Sequence, residues 1–273
     1  MNLLNKVIDP GAIFKSTKGG DFAILSKSDK RDSLGYQYYW NIKFNDQYGY
    51  ETVAKTFSIK TGLINNPYAP SLAGVGFIGV GKHSSKIIND EGKVVENRVY
   101  RVWRGLIERC YAEYSNKQTR WKSYNDVIVD EKWHNFQNFA DWYTNQPGYN
   151  LGFEIDKDLR SSEDNRIYSE ETCTLLPSEI NMMLVSKRYT KNKHNLPKGI
   201  RNTPSNKFSA TAHCGDPIGV SRTFETLEEA VSWYNNKNRE YVLRFIDNYK
   251  NILDAEVVEL VTNKALDNIL IKL

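Results

Sequence analysis

Residues 196–248 read LPKGIRNTPSNKFSATAHCGDPIGVSRTFETLEEAVSWYNNKNREYVLRFIDN, and this stretch decides the fold of the C-terminal part of the chain. It predicts three short strands followed by one helix. The first strand begins at residues 199–201, the second covers residues 207–213 and the third covers residues 218–224. Apolar and polar residues alternate in the second strand, which is typical of a strand with one buried face.

The helix of this stretch has a clear start in the sequence. Thr226 is predicted to be the N-cap, and Glu228 and Glu229 follow in the first turn, where carboxylates favour the positive end of the helix dipole. An apolar stripe then repeats at helical spacing and is expected to cover one face of the sheet. Its members are Ala230, Trp233, Tyr234, Tyr241 and Phe245.

The order G-I/V-R, F/W-x-A, F-x-T-x-E-E-A and Y in this stretch resembles the plant ethylene-response-factor DNA-binding domain, in the form carried by phage and mobile-element HNH homing endonucleases. In that family the three-stranded sheet enters the major groove. The resemblance therefore implies double-stranded DNA as the partner, bound by the sheet face opposite the helix. The predicted DNA-binding residues are Lys187, Arg188, Lys198, Arg201, Lys207, Thr211, His213 and Arg222.

The composition permits this function without requiring it. The chain has 273 residues, enough for two or three small domains, and its net charge of +4 is only mildly basic. The basic run at residues 187–194 is either a solvated segment or part of the DNA interface.

Three cysteines without a CxxC pair argue against zinc ribbons and disulfide scaffolds, and favour a reducing cytoplasm. No signal peptide and no apolar run of about 20 residues is visible, so no membrane association is expected.

The predicted fold class is α+β, with a β-rich N-terminal domain at residues 1–83. Its β-type runs lie at residues 22–25, 36–44 and 51–59, and glycine-containing turns separate them. Strands of this length and spacing favour a small barrel-like domain. A connector rich in proline and glycine follows at residues 65–80.

Three further segments complete the predicted organisation. Residues 97–186 form a central domain, and residues 187–250 form the sheet-plus-helix domain. Residues 251–273 form a helical tail, whose apolar stripe either packs back on the chain or joins a second copy in a homodimer. The central domain is predicted to contain helices at residues 99–114 and 131–143, and the aromatic side chains expected to be buried in the second helix are Trp133, Phe136, Phe139 and Trp142.

Residues 153–184 read FEIDKDLRSSEDNRIYSEETCTLLPSEINMML and carry most of the chemistry-bearing side chains of the central domain. Together with the preceding W-R-G-L-I-E-R-C-Y and V-x-V-x-x-x-W-x-x-F-x-x-F-x-x-W patterns, they resemble phage HNH endonucleases. The HNH motif is a β-hairpin followed by a helix that holds one divalent metal ion. The resemblance thus implies metal-dependent phosphodiester hydrolysis in the cytoplasm of a bacterial host.

The motif carries over to this chain only in part. Asp156 matches the metal-binding acid and Asn181 the last metal ligand, a donor set that suits Mg²⁺ or Mn²⁺, and no zinc is expected. Lys157 takes the place of the general-base histidine. Between two acids a lysine keeps its proton, so contact with phosphate is an alternative role for Lys157, and Asp158 or His134 could supply the base.

Three functions are therefore weighed. The first is a metal-dependent DNA endonuclease, and the second is a DNA-binding regulator built on a degenerate nuclease core. The second could also act as a phage factor against host defence, and the third is a protein-interaction module whose nuclease-like domain docks on a host enzyme. Asp156 also has a purely structural interpretation, because an aspartate at the end of a strand commonly begins a turn. The surroundings of Asp156 are expected to discriminate: an enzyme would gather several metal ligands there, whereas a binding protein would place the Lys157 ammonium there.

Overall fold

The computed structural model describes residues 7–31, 33, 35, 38–112, 126–160, 166–184, 196–213, 215 and 219–271. The chain is a mixed α+β protein, as predicted. It divides into two compact units, Met1–Thr144 and Asn145–Leu273, which are described separately. The division falls within residues 97–186, and the four predicted domain boundaries remain predictions.

The N-terminal unit begins with a four-stranded antiparallel sheet in the order β1-β2-β3-β4. Its strands are β1 (Ile13–Ser16), β2 (Gly20–Arg31), β3 (Tyr38–Phe44) and β4 (Glu51–Lys55). One face of the sheet forms a core in which the rings of Phe14, Phe22 and Phe44 lie in sequence, with centroid separations of 6.1 and 5.6 Å. Ile24, Ile42 and Ile59 complete this core.

The barrel-like closure predicted for this unit is wrong. β1 and β4 are the edges of an open sheet, and the described residues form no closed barrel. The run at residues 51–59 ends as a strand at Lys55, because helix α1 (Thr56–Thr61) begins there and packs against β1, β3 and β4. The helix ends at Gly62, whose left-handed φ of 70° and distance of 2.7 Å from its ideal Cβ position to the Lys15 carbonyl oxygen leave no room for a side chain.

The second part of the N-terminal unit is an aromatic core between two helices. A short hairpin, β5 (Lys86–Ile88) and β6 (Val94–Glu96), leads into α2 (Arg98–Tyr111), which Asn97 caps. After β7 (Ile128–Val129) come a 3₁₀ turn (Glu131–His134) and α3 (Phe136–Thr144). The sequence predicted one helix over residues 131–143, but the backbone instead changes from a 3₁₀ to an α conformation at Asn135.

The aromatic side chains expected in this core are mostly buried. Trp133, Phe136 and Phe139 are inaccessible to solvent, and Trp142 is only partly buried. The indole N–H of Trp103 donates to the Trp133 carbonyl oxygen at 2.7 Å, which fixes α2 against the 3₁₀ turn. These residues therefore serve mainly as structural core.

The C-terminal unit opens with a hairpin-and-helix arrangement. β8 (Glu154–Asp156) pairs with β10 (Thr174–Leu176) in antiparallel register, and α4 (Ser178–Leu184) follows β10 directly. Along the chain, strand β9 (Ile167–Tyr168) comes between β8 and β10, but it is not part of their sheet. The Thr172 hydroxyl donates to the Ile167 carbonyl oxygen at 2.6 Å and so closes the turn between β9 and β10.

The predicted three strands and helix are present in the same unit. β11 (Ile200–Asn202), β12 (Phe208–Ala212) and β13 (Val220–Phe224) form an antiparallel sheet in this order, followed by α5 (Leu227–Asp247). Thr226 is the N-cap, as predicted, and it exchanges hydrogen bonds with Glu229 in a capping box. Ala210 packs against α5 in a core completed by Ile200, Ala230, Val231 and Ile271.

The C-terminal tail packs back on its own unit, in agreement with the first of its two predicted arrangements. Helix α6 (Ala255–Ile269) contacts α4 and α5 and buries Val257, Val261 and Ala265. The apolar stripe that the homodimer would have used is thus occupied within the chain. This removes the sequence argument for a homodimer through the tail.

Candidate functional site

Helix α5 covers one face of the three-stranded sheet. Among the described residues, the opposite face has exposed side chains such as Arg201, His213 and Thr223, and Ser209 is buried at its centre. Residues paired across antiparallel strands project to the same side, so the register assigns each side chain to a face. Arg201 pairs with Ser209, which in turn pairs with Thr223, while Thr211 pairs with Ser221. We call this side, opposite Ala210 and α5, the outer face. It consists of Arg201, Lys207, Ser209, Thr211, His213, Ser221, Thr223 and Glu225.

The outer face is made of hydroxyl and basic side chains, with one carboxylate. The hydroxyls of Thr211 and Ser221 are 2.8 Å apart and bridge the two strands. Lys207 forms an ion pair with Glu225, which neutralises the only acid of this face. Arg201 is exposed, and its guanidinium has no hydrogen bond or ion pair among the described residues. The outer face therefore retains a free cation at its β11 edge.

Arg222 is not on the outer face, contrary to the sequence prediction. It pairs with Ala210, which packs against α5, and it therefore projects to the helix side of the sheet. Its guanidinium carbon lies 5.5 Å from the centre of the Phe224 ring on the same side. The sequence assigned Arg222 to the outer face because the third strand has no clear alternation from which its register could be predicted.

The remaining predicted DNA contacts have different outcomes. Lys198 is exposed just before β11, and His213 is exposed at the end of β12. His213 lies beside Gly219, whose φ of 74° is strained for any other residue and whose ideal Cβ position is 3.0 Å from the imidazole Nδ1. Lys187 and Arg188 lie outside the described residues.

Asp156 stands at the end of β8, where its carboxylate begins a turn. The Leu159 amide N–H donates to Asp156 Oδ1 at 2.8 Å. Burial raises the pKa of Asp156 above its ordinary value, and the nearby Asp158 acts in the same direction. The Leu159 hydrogen bond and the ammonium groups of Lys264 and Lys157 oppose that shift. The structural role as a turn residue is thus observed, and the second carboxylate oxygen accepts no hydrogen bond from the described residues.

Lys157 holds its ammonium group inside the site. The side chain is only 12% exposed, forms an ion pair with the Asp158 carboxylate and points its Nζ at the Tyr168 ring, 5.8 Å from the ring centre. An amine that acted as a general base would need a free lone pair, whereas this group donates to a carboxylate. The geometry therefore suits a fixed cation better than a general base. The ion pair also occupies the Asp158 carboxylate, the other residue predicted as a base.

A second ammonium group lies at this site, and no motif in the sequence indicates it. Lys264, on α6, donates to the backbone carbonyl oxygen of Asp158 and acts electrostatically on Asp156. The same helix meets the turn again through Arg160 and Glu256, at 3.3 Å. A residue more than a hundred positions away could not be connected to Asp156 by spacing within a motif.

The predicted metal ligands form only a partial site in the described part of the chain. Asn181 is on α4, which packs against β8, and its side chain makes no hydrogen bond among the described residues. Burial raises the pKa of the neighbouring Cys173 thiol to about 12. Within the described ranges, no group of three or more His, Cys, Asp or Glu side chains could hold a metal ion. Two lysines beside Asp156 also oppose a divalent cation, so these residues do not fit a complete metal site.

His134, predicted as an alternative base, belongs to the N-terminal unit, whereas Asp156 belongs to the C-terminal unit. It ends the 3₁₀ turn, and its Nε2 lies 3.4 Å from the Tyr111 hydroxyl. Burial lowers the pKa of His134, so the imidazole is neutral at neutral pH. Its role in catalysis remains a prediction.

Comparison of the chain with protein-family models, curated proteins and solved structures finds no match. The resemblances to HNH endonucleases and to ethylene-response-factor domains therefore rest on the residues quoted above. In the described part of the chain, no helix combines the length and the apolarity that crossing a membrane requires. The function must accordingly be inferred from the geometry of the chain itself.

Proposed function

We propose that this protein binds duplex DNA through the outer face of its three-stranded sheet, and that its hairpin-and-helix core is a degenerate nuclease core. The observation that carries the proposal is the chemistry of the outer face, on which Arg201 is an exposed cation without a partner among the described residues. Hydroxyl and basic side chains are the groups that contact DNA phosphates and base edges.

The shape of the outer face supports the same function. A short antiparallel sheet can enter the major groove, as other β-sheet readers do. Ser209, Thr211, Ser221 and Thr223 are small, so they leave the sheet backbone close to any surface that lies against it. Longer side chains stand at the edges of this row, where phosphates would lie.

A salt titration of the full chain tests the proposal. Binding to a labelled duplex is measured by fluorescence anisotropy at several salt concentrations. The logarithm of the association constant is expected to fall linearly with the logarithm of salt concentration, with a slope of roughly −0.9 for each phosphate neutralised. Absent binding, or binding that does not depend on salt, would overturn the proposal.

A metal-dependent nuclease is the second candidate, because β8, β10 and α4 follow the hairpin-then-helix order of the HNH motif. In that case Asp156 and Asn181 would hold Mg²⁺ or Mn²⁺, which would polarise the phosphodiester. Lys157 would then contact a phosphate oxygen. The two lysines next to Asp156 place this candidate second.

Plasmid DNA incubated with the full chain in Mg²⁺ and in Mn²⁺ discriminates the two candidates. A degenerate core predicts no cleavage, with duplex binding retained. Cleavage by the natural chain that disappears in Asp156→Asn would establish the nuclease instead. This variant is well matched, because an asparagine keeps the oxygen that accepts the Leu159 hydrogen bond.

A further inference from the structure

An open cleft in the N-terminal unit contains none of the candidate site residues named above except His134. It lies between the turns of the four-stranded sheet and the connector that follows α1, and its volume is about 770 Å³. Small-molecule sites commonly measure about 300–1,000 Å³, so the cleft can hold a nucleotide. We call it the tyrosine cleft; its main lining residues are Lys18, Tyr48, Tyr68, Phe77, Glu131 and His134.

One wall of the tyrosine cleft is a stack of aromatic rings. Tyr48 and Tyr68 lie nearly parallel, with ring centroids 4.4 Å apart and an interplanar angle of 13°. Phe77 packs against both, at 5.3 and 5.9 Å, and is itself buried. Tyr48 nevertheless remains 44% exposed. The stack thus ends in an aromatic ring that is supported from behind and accessible to a ligand.

A network of hydrogen bonds holds this wall in place. Asp46 Oδ1 accepts hydrogen bonds from the Tyr48 and Gly49 amides, both at 2.9 Å, and Asp46 Oδ2 accepts one from Asn66 Nδ2 at 2.6 Å. Asn66 also donates to the Gly19 carbonyl oxygen and accepts from the Tyr68 amide. Because both Asp46 oxygens are occupied, this carboxylate orients Tyr48 and has little capacity left to bind a ligand.

The polar lining offers groups suited to a nucleotide. His134 Nε2 lies 3.4 Å from the Tyr111 hydroxyl, and a hydrogen bond to the Val129 backbone also holds the imidazole. The His134 ring is therefore a fixed polar part of the cleft wall. Exposed Glu131 adds a carboxylate acceptor, and Lys18 is an exposed cation without a side-chain partner among the described residues.

We propose that the tyrosine cleft binds a nucleobase stacked on Tyr48, with Glu131 accepting hydrogen bonds from the base edge and Lys18 next to the phosphate. The aromatic ring provides the stacking surface, which is the main source of affinity for unpaired bases. The base comes either from single-stranded DNA or from a free nucleotide, and both present the same ring and phosphate. The proposal is independent of duplex binding by the outer face.

Tyr48→Ala and Tyr48→Trp in the full chain test the proposal. Binding of a labelled oligothymidylate is measured by anisotropy, and binding of deoxynucleoside monophosphates by calorimetry. Tyr48→Ala is expected to weaken binding about tenfold or more, because base stacking on an aromatic ring is lost, and Tyr48→Trp is expected to retain or strengthen it. Phe57→Ala is the matched control, since Phe57 is also an exposed aromatic of this unit, at 65% exposure, and does not line the cleft.

The two ligands identify the source of the base. Binding of monophosphates assigns a free nucleotide, and binding of the oligonucleotide alone assigns single-stranded DNA. Equal affinity of Tyr48→Ala and the natural chain for both ligands would overturn the proposal, as would the absence of binding to either. Arg201→Ala serves to separate the two proposals: it is expected to weaken duplex binding and leave monophosphate binding within about twofold.

Discussion

The two sheets of this protein resemble each other in pairing and differ in what they present on their uncovered faces. Both are antiparallel, and both bury one face in an apolar core. On the uncovered face of the four-stranded sheet, Lys43 forms an ion pair with Glu51, and Val53 is 43% exposed. The ammonium groups of Lys30 and Lys55 lie over the Tyr39 ring of the same sheet, 5.2 and 5.8 Å from its centre. On the outer face of the three-stranded sheet, hydroxyls fill the centre and Arg201 lies free at one edge among the described residues.

This difference indicates which sheet has a surface suited to a polyanion. On the first sheet, each of these basic groups already contacts a tyrosine ring or Glu51, and an exposed valine stands beside them, which is ordinary for a solvated surface. A row of serine and threonine beside an arginine contributes little to the stability of the fold, because these side chains bury little apolar area. We therefore attribute duplex binding to the second sheet and a structural role to the first.

The largest expected effect concerns the inner face of the four-stranded sheet. Phe22→Ala is expected to lower the free energy of unfolding by about 3–5 kcal/mol, because the ring is inaccessible to solvent and its removal leaves a cavity. Val53→Ala, on the other face, is expected to cost less than about 1 kcal/mol. Urea denaturation of both variants measures the difference. Similar losses would mean that the two faces contribute equally to stability.

An intermediate effect is expected where each sheet needs a glycine. Gly199→Ala is expected to cost about 2–4 kcal/mol, because φ is +82° and the new Cβ would lie 2.5 Å from Tyr234 Cε2. Gly20, in the first sheet, has a φ of +83°, but no atom lies within 4 Å of the Cβ that an alanine would add. Gly20→Ala is therefore expected to cost only about 1–2 kcal/mol, from the backbone conformation alone. If urea denaturation gives equal losses, Tyr234 moves aside and α5 packs loosely on the sheet.

The smallest stability effect is expected at the start of α5. Thr226→Ala removes a hydrogen bond to the Glu229 amide and should cost about 1 kcal/mol. Asp254 occupies the N-cap of α6 without a side-chain cap hydrogen bond, so Asp254→Ala should cost only about 0.3–1 kcal/mol through the helix dipole. A larger loss for Asp254→Ala in the same urea assay would contradict this account of capping.

The elements of the C-terminal sheet could be predicted from the sequence, because their signals are local. The β12 strand and the Thr226 cap are each predicted from neighbouring residues, and both are present, although Ser209 on the outer face of β12 is buried. The register of β13 could not be predicted, since Val220–Phe224 has no polar and apolar alternation, and Arg222 was assigned to the wrong face as a result.

The surroundings of Asp156 and the tyrosine cleft depend on contacts that sequence spacing does not encode. Lys264 reaches the turn after Asp156 from another helix, and only the packing of α6 brings it there. Tyr48 lies in the loop between β3 and β4, and Tyr68 lies in the connector after α1. No helical or strand periodicity in the sequence links these two residues, although their rings stack. Similarly, the strand predicted over residues 51–59 is only partly correct. Its second half forms α1 instead, because these residues pack on the sheet as a helix.

Duplex affinity of Arg201→Ala and Arg222→Ala, compared side by side, tests the central claim most directly. The two arginines lie in the same small sheet but on opposite faces, so loss of one positive charge is common to both variants. Anisotropy at one fixed salt concentration is expected to show about a tenfold or greater loss for Arg201→Ala, and a change within about twofold for Arg222→Ala. An equal loss in both variants, or a larger loss for Arg222→Ala, would contradict binding through the outer face.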